Sequence, residues 1–154
     1  MRWFGWLLLG VLGLAAGAAR AETTTFTDWV AICDNVRTCS AYGFSSELSE
    51  DVGYVRLTRG AAANDAPKIW VSVTAETNGS WELAVDGKNI GGPLALRGEK
   101  DDAYRRAELS PVQASALLAG LANGSSLTLS QAGQAPRAIS LKGSSAALRW
   151  IDDR

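Results

Sequence analysis

The sequence predicts an α+β fold: a mostly antiparallel β-sheet or sandwich with one amphipathic helix over about 110–123 and a short C-terminal helix. Three observations carry this reading. Apolar and polar residues alternate with a period of two through Tyr54–Arg59, Lys68–Thr74 and Trp81–Asp86, as in half-buried strands. Turn chemistry punctuates these runs at Asn64-Asp65, Asn78-Gly79, Asp86-Gly87 and Gly91-Gly92-Pro93. At Ser110 the period changes to that of a helix.

The N-terminus comes first in the chain. Met1-Arg2 is a positive start, Trp3 to Ala19 carries no charge, and Ala19-Arg20-Ala21 is a small-x-small site. This pattern predicts a secretory signal peptide over 1–21, cleaved to leave Glu22. The competing reading is a retained anchor. The uncharged run sits at the lower edge of the ~17–25 residues a span needs, and Gly and Ala fill its second half. The expected product is periplasmic or secreted, meeting the membrane only in transit. No cysteine follows the apolar run to accept a lipid.

A β-leaning stretch, Trp29-Val30-Ala31-Ile32, leads to Cys33, and Cys39 is the only other cysteine. In an exported chain such a pair predicts a disulfide, here joining the end of Trp29–Cys33 to the start of Cys39–Phe44. The expected Cα separation is roughly 4.4–6.8 Å. A redox pair is usually spaced by two residues, and a soft-metal site needs two further ligands that the chain lacks.

Downstream, Asn78-Gly79 predicts a hairpin that pairs Lys68–Thr74 with Trp81–Asp86, and Asp86-Gly87 a second tight turn. Lys100–Arg106 reads as a solvated loop of compensating charges. Ser110 as N-cap and Pro111 at the first helical position open the helix. Ala114, Leu117, Leu118 and Leu121 form its stripe, and Asn123-Gly124 stops it. Ser126–Ser130 and Arg137–Leu141 read as strands joined by a Gln131–Pro136 turn. Ser144-Ser145 is expected to cap a last helix over Ala146–Ile151.

Residues 22–154 have the length of one exported domain with a sizeable core. At 47% apolar and 20% charged, the composition is that of a globular protein. The formal charge of −1 becomes about −3 once Arg2 and Arg20 leave, so no basic field exists to hold nucleic acid. The absence of His removes Ser-His-Asp and Cys-His nucleophile activation and every His-ligated metal site. No cofactor or metal is expected. Carboxylate chemistry, or no chemistry, remains.

The stretch Phe26-x-Asp28-Trp29-x-x-x-Cys33-Asp34-Asn35-x-Arg37-Thr38-Cys39 resembles the start of an exported bacterial family, domain of unknown function 1176. The resemblance continues through Leu94-Ala95-Leu96-Arg97-Gly98, Leu109-Ser110-Pro111 and Ile139-Ser140-Leu141-x-Gly143-x-Ser145-Ala146-Ala147-Leu148-Arg149-Trp150-Ile151-Asp152. The Trp–Cys start and the Ser-Leu-x-Gly-x-Ser-Ala-Ala end are also distantly similar to the invasion-associated locus B proteins. Both resemblances imply β-rich secreted or envelope domains, and neither brings an assigned catalytic site. Members of the first family usually run on past the equivalent of Asp152-Asp153-Arg154, so the resemblance implies a chain truncated there.

Asp34, Asn35, Arg37 and Thr38, inside the predicted ring, are the candidate binding residues. A disulfide-pinned loop holds Arg37 and Asp34 in place for a ligand at low entropic cost. The plainer reading is that Asp34-Asn35 is turn chemistry and Arg37 a solvated charge. Trp29, Trp70, Trp81 and Trp150 would suit sugar or peptide stacking if exposed, but each sits in an apolar alternation expected to face the core. Asp101-Asp102 and Asp152-Asp153 are paired carboxylates. Glycoside hydrolysis needs two carboxyls roughly 5–9.5 Å apart across a sugar, which neighbours pointing to opposite faces do not provide. Glu99 with Asp101-Asp102 lacks the ligand spacing of a calcium loop. The leading expectation is a non-enzymatic envelope domain that binds a protein or glycan. The rivals are a carboxylate-dependent hydrolase of cell-wall sugar, and a structural module of a longer envelope protein.

Overall fold

The computed structural model describes residues 21–45, 52–62 and 66–154. The expected signal peptide up to Arg20, and Asn64-Asp65, lie outside them.

Five strands follow one another through the first half: β1 (Glu22–Phe26), β2 (Trp29–Cys33), β3 (Cys39–Phe44), β4 (Gly53–Arg59) and β5 (Lys68–Thr74). Each pairs antiparallel with the next, and β9 (Tyr104–Glu108) closes the far edge against β5. The second sheet runs β11 (Arg137–Ser140), β10 (Ser126–Ser130), β6 (Gly79–Val85) and β7 (Lys88–Asn89), with β8 (Leu94–Leu96) on the first residues of β6. Isolated bridges lace the two sheets at Ser45–Ile139 and Arg97–Arg106.

The two inner faces share one core. Trp29, Ala31, Ala41, Val55, Leu57 and Val71 from the first sheet meet Trp81, Leu83, Leu127, Leu129 and Ile139 from the second. A Cβ placed on Gly53 would lie 3.2 Å from Leu129 Cδ1, so the sheets pack in direct contact at that point. Helix α2 (Ser144–Asp152) lies beside the second sheet against β1, β2 and β3. Ala31 stands opposite Ala41 there, and two small side chains leave room for Ala147 and Ile151. Helix α1 (Pro111–Asn123) starts as expected, with Ser110 and Gln113 forming a capping box. It buries Leu117 and Leu121 completely and Leu118 in part.

Several expectations are corrected. Asn78-Gly79 does not form a hairpin. β5 is flanked by β4 and β9, so its edge is taken, and the chain after Thr74 crosses to the second sheet instead. Asn78 Oδ1 accepts from the Gly98 backbone, holding that crossover beside β8. Asp86-Gly87 is the true two-residue turn, with both residues at positive φ (48° and 78°) between the paired Val85 and Lys88.

Lys100–Arg106 is not a solvated loop throughout, because Tyr104–Glu108 is strand β9. Arg105 is 6% exposed there and donates to the Glu76 carbonyl at 2.6 Å, tying β9 to the crossover. β1 carried no alternation to mark it, since Glu22–Thr25 is polar and only its pairing with β2 orders it. Ser144 and Ser145 do not cap α2; both hydroxyls donate to the Leu121 carbonyl near the end of α1, and Gly143 at φ 94° is the cap. Gly124 ends α1 in an extended rather than left-handed conformation, and its missing Cβ leaves space for Val85.

Candidate functional site

Cys33 and Cys39 stand directly opposite each other at the ends of β2 and β3 and are joined by a disulfide. Their Cα atoms are 4.0 Å apart, nearer than the expected 4.4–6.8 Å. The register explains the closeness. Asp34 N donates to Thr38 O at 2.9 Å just outside the pair, so the cysteines occupy a non-hydrogen-bonded position, where strands approach most closely.

Within the ring, Asp34 Oδ1 accepts from Val36 N at 2.9 Å and from Thr38 N at 2.8 Å. Its carboxylate is therefore spent on the turn. Thr38 closes the same turn through its backbone N–H. Arg37 takes a left-handed conformation, φ 63°. It makes no hydrogen bond or ion pair among the described residues.

Arg37 separates two hollows. One, of about 350 Å³, is lined by Arg37, Arg59, Gly60, Asp152 and Arg154 among others. The other, of about 260 Å³, holds Glu22, Asp34, Asn35, Arg37 and Arg154. Arg59 arrives because its backbone is the register partner of Cys39, and its Nε pairs with Asp152 Oδ1 at 2.6 Å. Arg154 pairs with Glu22 at 2.9 Å and stacks over the Trp150 ring at 3.9 Å. Arg59 and Arg154 are thus each paired with a carboxylate, and Arg37 is the guanidinium at the larger hollow with no ion pair among the described residues, a group that can grip an anion.

Of the sequence candidates, Asp34, Asn35 and Arg37 line the smaller hollow, and Thr38 joins Asp34 in closing the turn behind it. Arg59 and Arg154 were missed. Nothing local marks either as a site residue, and only the register of β3 with β4 and the path of α2 bring them to the ring.

The paired carboxylates go elsewhere. Asp101 sits in a turn at φ 79°. Asp102 accepts from Tyr104 N at 2.9 Å and pairs with Arg106; that backbone bond chiefly, with the Arg106 charge, holds its pKa below the ordinary 3.8. Asp152 belongs to the arginine hollow, and Asp153 caps α2. Trp29 and Trp81 are fully buried, with Trp70 and Trp150 half-buried. Among the described residues no group of three His, Cys, Asp or Glu gathers as metal ligands would.

A family model matches residues 23–154, from β1 through the end of α2 and across both sides of the ring. The chain belongs to the family described as Protein of unknown function (DUF1176). Neither the curated proteins nor the solved structures give a match. In this DUF1176 chain the Cys-Asp-Asn-x-Arg-Thr-Cys block closes the β2–β3 hairpin, with Asp34 building the turn and Arg37 within it at φ 63°.

Proposed function

We propose that this chain is an exported, non-enzymatic binding module that offers its disulfide-pinned loop to an anionic group on an envelope protein or glycan. One observation carries the reading. Arg37 is held at φ 63° by a ring closed twice, by the disulfide and by the Asp34 turn, and it faces a hollow shared with Arg59 and Arg154. An arginine fixed before its ligand arrives loses little freedom on binding. Guanidinium groups favour carboxylates and phosphates, which they grip through two donors at once.

Export is part of the proposal. The family match begins at residue 23, just past the cleavage expected after Ala21, and the disulfide suits an oxidising compartment. A distant kinship with the invasion-associated locus B proteins is part of the same proposal. Intact-mass measurement on exported protein should give a chain that starts at Glu22; a membrane-bound product retaining Met1 to Ala21 would overturn the compartment.

The binding claim is tested by passing a periplasmic extract over immobilised wild-type protein and Arg37→Ala in parallel, with mass spectrometry of what is retained. The expected result is a protein or glycan held by the wild type and lost by the variant. Identical retention on both columns would refute a role for the loop.

A further inference from the structure

The outer face of the first sheet carries aromatic side chains in an unbroken line. Tyr42 and Phe44 of β3 stack with centroids 6.0 Å apart, Phe44 meets Tyr54 of β4 at 5.9 Å, and Tyr54 meets Tyr104 of β9 at 5.9 Å. The last contact bridges β5, and it exists because the residues of β5 beneath it are small. Ser72 pairs with Tyr54 and Thr74 with Tyr104, so the two rings close over Ser72 and leave it 1% exposed. Tyr42, Tyr54 and Tyr104 are half-buried and Phe44 is 42% exposed; the Tyr42 and Phe44 rings are parallel within 5°, while Tyr54 meets Tyr104 edge-on at 69°. Among the described elements both helices and the second sheet pack elsewhere.

A charge sits inside this aromatic face. Arg56 lies between Tyr42 and Trp70 in one cross-strand row. Its Nε is buried without a hydrogen-bond partner, and the side chain makes no ion pair among the described residues. Lys68 and Arg106 occupy the same face, against Glu108 alone from the strands, with Asp102 neutralising Arg106. Among the described residues, the strands of this face therefore carry a net positive charge on a chain that is acidic as a whole. At the Phe44 end it runs into a hollow of about 440 Å³ where Thr25, Thr27, Asp28, Ser45 and Ser140 supply hydroxyl and carboxylate groups beside the apolar Val30, Phe44 and Ala138.

We propose that this face binds an acidic polysaccharide, with sugar rings lying on the Tyr42–Phe44–Tyr54–Tyr104 ribbon and a sugar carboxylate on Arg56. Each part of that ligand has its counterpart. Flat aromatic surfaces take the apolar faces of pyranose rings, an unpaired guanidinium beside them takes a carboxylate, and the hollow beyond Phe44 takes hydroxyls. Its volume is within the roughly 300–1,000 Å³ of ligand pockets. The site is separate from the arginine hollow, which lies at the Cys39 end of β3 while Phe44 is at the other, and it does not rest on the loop's proposed role.

The test is affinity electrophoresis of the purified protein through gels containing polygalacturonate, with the fully methyl-esterified polymer as an uncharged control. Polygalacturonate should retard the wild type, and methyl esterification should weaken the effect. Arg56→Gln should weaken retention by polygalacturonate at least about tenfold, the loss of one charge-assisted contact. Tyr54→Ala should weaken retention by both polymers, and Lys88→Gln, which removes an exposed charge on β7 of the second sheet, neither. Thermal melts confirm that each variant is folded, and Arg56→Gln carries the test if Tyr54→Ala does not fold. The proposal is overturned by no retardation of the wild type, by retention unchanged in Arg56→Gln, or by equal loss in Lys88→Gln. It is equally overturned by tighter binding to oligothymidylate than to polygalacturonate, or by a concentration-dependent dimer that Arg56→Gln dissolves.

Discussion

Trp29 stands directly opposite Gly43 across β2 and β3, and its ring covers the place where a Cβ on Gly43 would be. Such a Cβ would lie 2.7 Å from Trp29 Cε2 and Cζ2 and 3.1 Å from Ile139 Cγ2. The ring cannot retreat, because its Nε1 donates to the Ser140 carbonyl at 2.8 Å. The pair therefore fixes the first sheet against β11 through one indole and one missing methyl group. Gly43→Ala should lower stability by about 1–3 kcal/mol through overpacking. Urea unfolding would show a lower midpoint with an unchanged slope, and a midpoint equal to the parent's would mean that the indole moves freely.

The helix stripe makes a second prediction. Leu117 and Leu121 are buried, and Leu118 only partly. Leu117→Ala and Leu121→Ala should each cost roughly 2–5 kcal/mol, and Leu118→Ala less. Three midpoints within error of the parent would refute a core role for α1.

Removing the disulfide should be mild. Closing a ring of about seven residues is worth about 2–2.5 kcal/mol of denatured-state entropy. The double variant Cys33→Ser, Cys39→Ser should melt at a lower temperature and retain the far-UV spectrum of the parent. Free-thiol titration of the native protein should find no reactive sulfhydryl; two would exclude the bridge.

Asp102 provides a pH dependence whose sign is fixed. Its pKa in the folded protein is below the ordinary 3.8, chiefly because Tyr104 N donates to it and then because of Arg106. The contribution to stability is complete above the ordinary carboxylate pKa, and it is lost as pH falls through the lowered folded value. A carbon-detected titration should place the Asp102 midpoint below 3.8. Asp102→Asn should remove that part of the acid dependence, and a midpoint at or above 3.8 contradicts the assignment.

Gly87 is at φ 78° in the β6–β7 turn, and the space that a methyl group would fill has no other atom within 4 Å. Gly87→Ala should therefore cost about 1–2 kcal/mol from backbone conformation alone. Equilibrium unfolding measures it, and a neutral effect would show that the turn rearranges.

The sequence by itself determined the local elements of this protein. Two-residue alternation marked β4, β5 and most of β6, Ser110-Pro111 marked the start of α1, and the cysteine spacing marked the β2–β3 hairpin. These signals are legible because each depends on dihedral preferences and amphipathic period within about ten residues. Part of the site was legible for the same reason: Asp34 and Arg37 sit inside a ring that the cysteines define. Tertiary structure alone decided which strand neighbours which. Asn78-Gly79 and Asp86-Gly87 look alike in sequence, yet only the second makes a hairpin, because β9 returns from far along the chain to occupy the edge of β5. The same long-range pairing turned a run of charges into β9, set Arg59 beside Cys39, and aligned Tyr54 with Tyr104 across a serine. Each of these outcomes is a competition between distant segments for one row of backbone donors and acceptors, and no local window of sequence contains both competitors.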